Sequence, residues 1–147
     1  MRYLLLLISL LSPGLALAAD KPLAFGDWAM LDASKGRFVA LTGNGPARLA
    51  LQFHAQLGCK PMLRVSAPGV SEKTQAFAIK IGEASFNQAL QKPLSKALLE
   101  AMRKGKSAEL QLGNKAVPFS LTGSNAATET AAARCRIDSI TFAAGPS

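Results

Sequence analysis

The sequence is 147 residues long and 49% hydrophobic, with 17 Lys and Arg against 9 Asp and Glu and a single histidine. That length suits one domain, and the apolar share is enough for a buried core. The formal net charge of +8 points away from cationic ligands and toward anionic partners.

The first stretch, "MRYLLLLISLLSPGLALAAD", sets Arg2 before an apolar run from Tyr3 to Leu11, breaks at Pro13 and Gly14, and ends in small residues before Asp20. This order predicts a secretory signal peptide over residues 1–19, cleaved after Ala18 or Ala19. The run is shorter than the roughly 20 residues a membrane-spanning helix needs, and no later segment is long and apolar enough to be a transmembrane anchor. No cysteine stands directly after the cleavage point, so a lipid anchor is not expected. Residues 20–147 are then one exported β-rich domain. Of the 17 Lys and Arg only Arg2 lies in the leader, leaving 16 against 9 Asp and Glu, a net of +7.

"LAFGDWAMLDA" (Leu23 to Ala33) reads as a first strand with Phe25, Trp28 and Met30 toward the core. "RFVALTG" (Arg37 to Gly43) reads as a second. "NGP" (Asn44 to Pro46) is turn chemistry, because Asn and Gly tolerate positive φ and Pro fixes the exit. "ARLALQFHA" (Ala47 to Ala55) alternates, with Leu49, Leu51 and Phe53 on one side and Arg48, Gln52 and His54 on the other, as in a half-buried strand. "KPMLRVSAP" (Lys60 to Pro68) gives the next, through Met62, Leu63 and Val65. "QAFAIKIG" (Gln75 to Gly82) turns Phe77, Ile79 and Ile81 inward, and "ASFNQALQ" (Ala84 to Gln91) is its partner.

The period then changes. Leu94, Ala97, Leu98, Ala101 and Met102 follow helical spacing. Pro93 suits the first helical position and Gly105 the residue past the end. Arg103 and Lys104 stand in the last turn, where positive charge complements the helix dipole. "SAELQLGNKAVPFSL" predicts a hairpin turning at "GN", with Leu110 and Leu112 answered by Val117, Phe119 and Leu121. "SNAATETAAA" (Ser124 to Ala133) predicts a short helix capped by Ser124 or Asn125. "RCRIDSITF" (Arg134 to Phe142) predicts a last strand, and "AAGPS" a loose tail. The expected fold is mainly β: an antiparallel β-sandwich or open barrel with one or two short helices late in the chain.

Cys59 and Cys135 are the only cysteines. An even pair in an exported protein predicts a disulfide. A metal or catalytic thiol pair lacks the CxxC spacing and the nearby histidines it would need.

Three segments, "FGDWAM", "LLEAMRKGKSAELQL" and "VPFSLTGSNAA", resemble the invasion-associated locus B family of exported bacterial proteins and the related small accessory proteins of type VI secretion clusters. Many members of that family carry a cysteine shortly after the early Trp; residues 29–40 here contain none. The resemblance implies an exported β-rich module with an interaction role and brings no catalytic residues.

Catalytic chemistry finds little purchase. His54 lies between Phe53 and Ala55 with no carboxylate in a recognisable motif, and catalysis or metal binding needs such partners. His54 with Met62 is too thin a set for copper. No nucleophile elbow, phosphate loop or close carboxylate pair occurs. No enzyme activity, metal or cofactor is expected. What remains is charge. Lys60 and Arg64, Arg103, Lys104 and Lys106 with Lys115, and Arg134 with Arg136 form basic groups. A Cys59–Cys135 bond would set Lys60 beside Arg134 and Arg136, since bridged Cα atoms lie about 5–6 Å apart. The binding surface is therefore expected among Lys60, Arg64, Arg103, Lys104, Lys106, Arg134 and Arg136, with an acidic envelope or secreted protein as partner. Anionic envelope glycans or lipids are the alternative, and an envelope hydrolase the third reading. Nucleic acid ranks below these, because few aromatics are free to stack bases.

Overall fold

A computed structural model describes residues 21–44, 46–70, 76–89, 92–112 and 114–144. The expected signal peptide, Gly45 of the "NGP" turn, Leu90–Gln91 at the end of the seventh predicted segment and Gly113 of the "GN" turn lie outside them.

Five strands form the first sheet: β1 (Leu23–Phe25), β2 (Trp28–Asp32), β3 (Arg37–Asn44), β4 (Ala47–His54) and β5 (Met62–Ser66). Each pairs antiparallel with the next, so the sheet is a meander ordered β1-β2-β3-β4-β5. A 3₁₀ turn, Ala55–Leu57, separates β4 from β5. The second sheet is also antiparallel. It holds β6 (Ala76–Ile81), β7 (Ala84–Ala89), β8 (Ser107–Leu112) and β9 (Lys115–Ser120) in the order β7-β6-β8-β9. Helix α1 (Lys96–Lys104) joins the β6–β7 hairpin to the β8–β9 hairpin, and helix α2 (Ser124–Ala144) follows β9. The chain is mainly β and sandwich-like, with the last helix late, as expected.

Period-2 alternation decides which residues enter the core. In the first sheet Trp28 and Met30, Phe38 and Ala40, Leu49, Leu51 and Phe53, and Leu63 are buried on one face. Phe77, Ile79, Ala108, Leu110 and Phe119 meet them from the second sheet, with Leu98 and Met102 from α1 and Ala127, Ala131 and Cys135 from α2, in one cluster.

Three elements differ from the sequence expectation. The stretch Leu23–Ala33 is a hairpin rather than one strand, because Gly26 takes a left-handed φ of +61° and turns the chain. Helix α1 starts at Lys96, where the Ser95 hydroxyl caps the Leu98 N–H at 3.2 Å. Pro93, expected as its first residue, instead bridges to Met62 in extended pairing. Ala97, expected on its buried face, is exposed. The third difference is the largest. The predicted short helix and final strand are one 21-residue helix, Ser124–Ala144, so Arg134–Phe142 is helical. Its buried apolar positions, Ala127, Ala131 and Cys135, recur every four residues on one face. They are small, which lets the axis lie close against β1 to β4. Ser124 does not stand outside the helix as a cap; its hydroxyl donates to the Met102 carbonyl of α1 at 2.6 Å.

The start of α2 is pinned to the β1–β2 turn. The Asp27 N–H donates to the Thr122 carbonyl at 2.9 Å, and the Trp28 indole N–H donates to the Ser120 carbonyl at 2.8 Å. Gly123, at φ +92°, packs so tightly that a Cβ there would run into the Phe25 carbonyl.

A candidate cationic surface at the disulfide

Cys59 and Cys135 are bonded, with Cα atoms 5.8 Å apart across a sequence separation of 76. The local chain explains how Cys59 gets there. The 3₁₀ turn ends in two left-handed residues, Gly58 (φ 77°) and Cys59 (φ 56°). Cys59 N–H donates back to the His54 carbonyl at 3.0 Å, closing the turn. The following residues are fixed as well, since the Leu94 N–H donates to the Pro61 carbonyl at 2.8 Å. Lys60 therefore projects, exposed, from a segment anchored on both sides.

On the other side of the bond, Cys135 is fully buried and faces the core. Its helical neighbours Arg134 and Arg136 lie about 100° to either side of it, and both are exposed. The bond thus sets Lys60, the chain neighbour of Cys59, close to Arg134 and Arg136, the chain neighbours of Cys135. Asp138, four residues after Arg134, is the carboxylate on this stretch. Among the described residues, none of the three cations takes part in an ion pair.

The segments that carry the two cysteines also expose large apolar side chains, which the sequence reading misses. Leu57 is 59% exposed, and Ile137 and Ile140 are 64% and 71% exposed. Leu57 closes the 3₁₀ turn two residues before Cys59. Ile137 and Ile140 are three apart on α2, on one exposed face beside Arg134 and Arg136. The helical spacing Ala127–Ala131–Cys135 is the one signal that would have placed them there.

The other predicted binding residues lie elsewhere. Arg103 pairs with Glu129 and donates to Asn125 at 2.6 Å, tying the end of α1 to the first turns of α2. Lys104 pairs with Glu100 one turn back, at 3.2 Å. Lys106 is exposed next to Gly105, and Lys115 is exposed at the start of β9. The contact of Arg103 with Asn125 and Glu129 lies about 9–15 Å along the helix from Cys135. That is about a Debye length away, and the charge is already paired, so Arg103 and Lys104 do not extend the disulfide surface. Arg64 stands on β5, exposed, on the face of the first sheet that points away from the core.

His54 ends β4 on that same outward face, directly opposite Arg37. Among the described residues its side chain makes no hydrogen bond or ion pair. Among them, too, no group of three or more His, Cys, Asp or Glu could hold a metal ion. No helix among them is long and apolar enough to cross a membrane. Comparison with protein-family models, with curated proteins and with solved structures finds no match to this chain.

Proposed function

We propose that this chain is an exported, non-enzymatic binding module that recognises an acidic protein of the envelope or the secreted fraction, in an inhibitory, immunity or secretion-accessory role. The observation that carries the reading is the convergence of Lys60, Arg134 and Arg136 across the Cys59–Cys135 bond, next to exposed Leu57, Ile137 and Ile140. Unpaired cations at the margin speed encounter with an acidic surface and fix its orientation. The aliphatic side chains supply area that gains from leaving water. Export rests on the leader pattern of residues 1–19 and on the disulfide, a bond that persists in oxidising compartments. The resemblance of "FGDWAM" and "VPFSLTGSNAA" to invasion-associated locus B-like and type VI accessory proteins points the same way.

The test is affinity capture with the oxidised 20–147 domain, from envelope extract and culture supernatant, at low and high salt. Retention of one identified protein, lost when Lys60, Arg134 and Arg136 are all changed to Ala, supports the reading. Recovery of polyanionic glycan or lipid alone, released by salt, replaces it with a polyanion binder. Recovery of the same protein by the triple variant contradicts it.

A further inference from the structure

The first sheet uses one face for the core; its register defines the other. One outward row runs Ala29, Leu41, Ala50, Arg64, and the next runs Leu31, Val39, Gln52, Met62. At one end of these rows Arg37 stands opposite His54, and at the other Arg48 stands opposite Ser66. Val39 is buried, and the remaining apolar residues of the two rows are half-buried. None of them belongs to the core cluster or packs against it.

The outward face of the second sheet makes the contrast. There Lys80 lies opposite Ser85 and Glu109, and Ala78 opposite Asn87 and Gln111, which is an ordinary solvated face of mixed charge. On the first sheet no outward strand position holds a carboxylate, and the centre is apolar. Arg48 and Arg64 are diagonal neighbours, close enough for their long side chains to hold one carboxylate between them. Arg37 and His54 form a second pole. From Arg48 to His54 along β4 is about 20 Å.

We propose that this face is a second docking surface, for a protein that presents an apolar centre flanked by carboxylates about 20 Å apart. It shares no residue with the surface at the disulfide, although His54 adjoins the turn that carries Leu57 and Cys59. Charge selects the occupant. A second copy of the chain, stacked about a two-fold axis, would set arginine pole against arginine pole. A lipid surface would meet the long arginines first and leave the short Ala29, Val39 and Ala50 side chains uncovered. An acidic protein surface with a raised apolar centre satisfies both the poles and the floor.

The experiment places a photo-crosslinking amino acid at Leu41 of the full chain, with a control at Asn87 on the other sheet, and irradiates in extract of the source cells. The expected result is one identified protein crosslinked from position 41 and not from 87, which rebinds in purified form. Arg48→Ala with Arg64→Ala should weaken that rebinding about tenfold with melting temperature unchanged, since both arginines are exposed. Arg48→Lys with Arg64→Lys should keep most of it. Lys60→Ala with Arg134→Ala and Arg136→Ala should leave the crosslink in place, which separates this surface from the one at the disulfide. Crosslinks only to copies of the chain, only to lipid, or equally from position 87 overturn the proposal. So does rebinding indifferent to Arg48 and Arg64.

Discussion

Gly123 sits where the chain leaves β9 for α2, at φ +92° and against the Phe25 carbonyl. Gly82, in the β6–β7 turn, has a φ of +61° but open space around it. Both conformations disfavour a side chain; only the first also forbids the volume. Gly123→Ala should therefore cost about 3 kcal/mol, and Gly82→Ala about 1 kcal/mol, in urea denaturation. Equal costs would contradict the close approach of the β1–β2 turn to the start of α2. At this scale the sequence was partly legible. The cysteine pair and the inward residues of β4 and β6 follow from counting and alternation. The exposure of Leu57 does not, because an apolar residue in a loop carries no mark of which way it points.

Helix α2 shows why part of the architecture was not legible. Its buried face is made of Ala127, Ala131 and Cys135, while Ile137 and Ile140 face solvent. The helical period is therefore carried by residues of weak hydrophobicity, and the strongest apolar residues sit on the wrong side for a core helix. β-branched Ile137, Ile140 and Thr141 in "RCRIDSITF" mimic a strand. Close packing against the sheet overrides that propensity. Two substitutions separate the alternatives. Ala131→Leu should destabilise by about 3 kcal/mol through overpacking, and Ile140→Ser by less than about 0.5 kcal/mol, both read by thermal melts. A large loss from Ile140→Ser would mean that this segment is buried as a strand. The cationic outward face of the first sheet was equally hidden. Arg37, Arg48 and Arg64 come from three strands, and only the register puts them on one face.

For the whole molecule the disulfide links the middle of α2 to the loop between β4 and β5 across 76 residues. A loop of that length gives about 4 kcal/mol of stabilisation on the chain-entropy account. Reduction, or Cys59→Ala with Cys135→Ala, should lower unfolding free energy by about that amount in guanidinium titration. It should also release Lys60 from Arg134 and Arg136, so stability and recognition are coupled in one bond. Among the described residues the charge is distributed unevenly: paired at the α1–α2 contact, mixed on the second sheet, and without an ion pair at the disulfide. The central claim is that the unpaired cations at the disulfide recognise an acidic protein. Its most direct test is calorimetric titration of the captured partner with the oxidised domain and with the Lys60, Arg134 and Arg136 triple Ala variant, at low and high salt. The account predicts that the variant binds about tenfold more weakly and with a shallower salt dependence. The same affinity and the same salt dependence in both would contradict it.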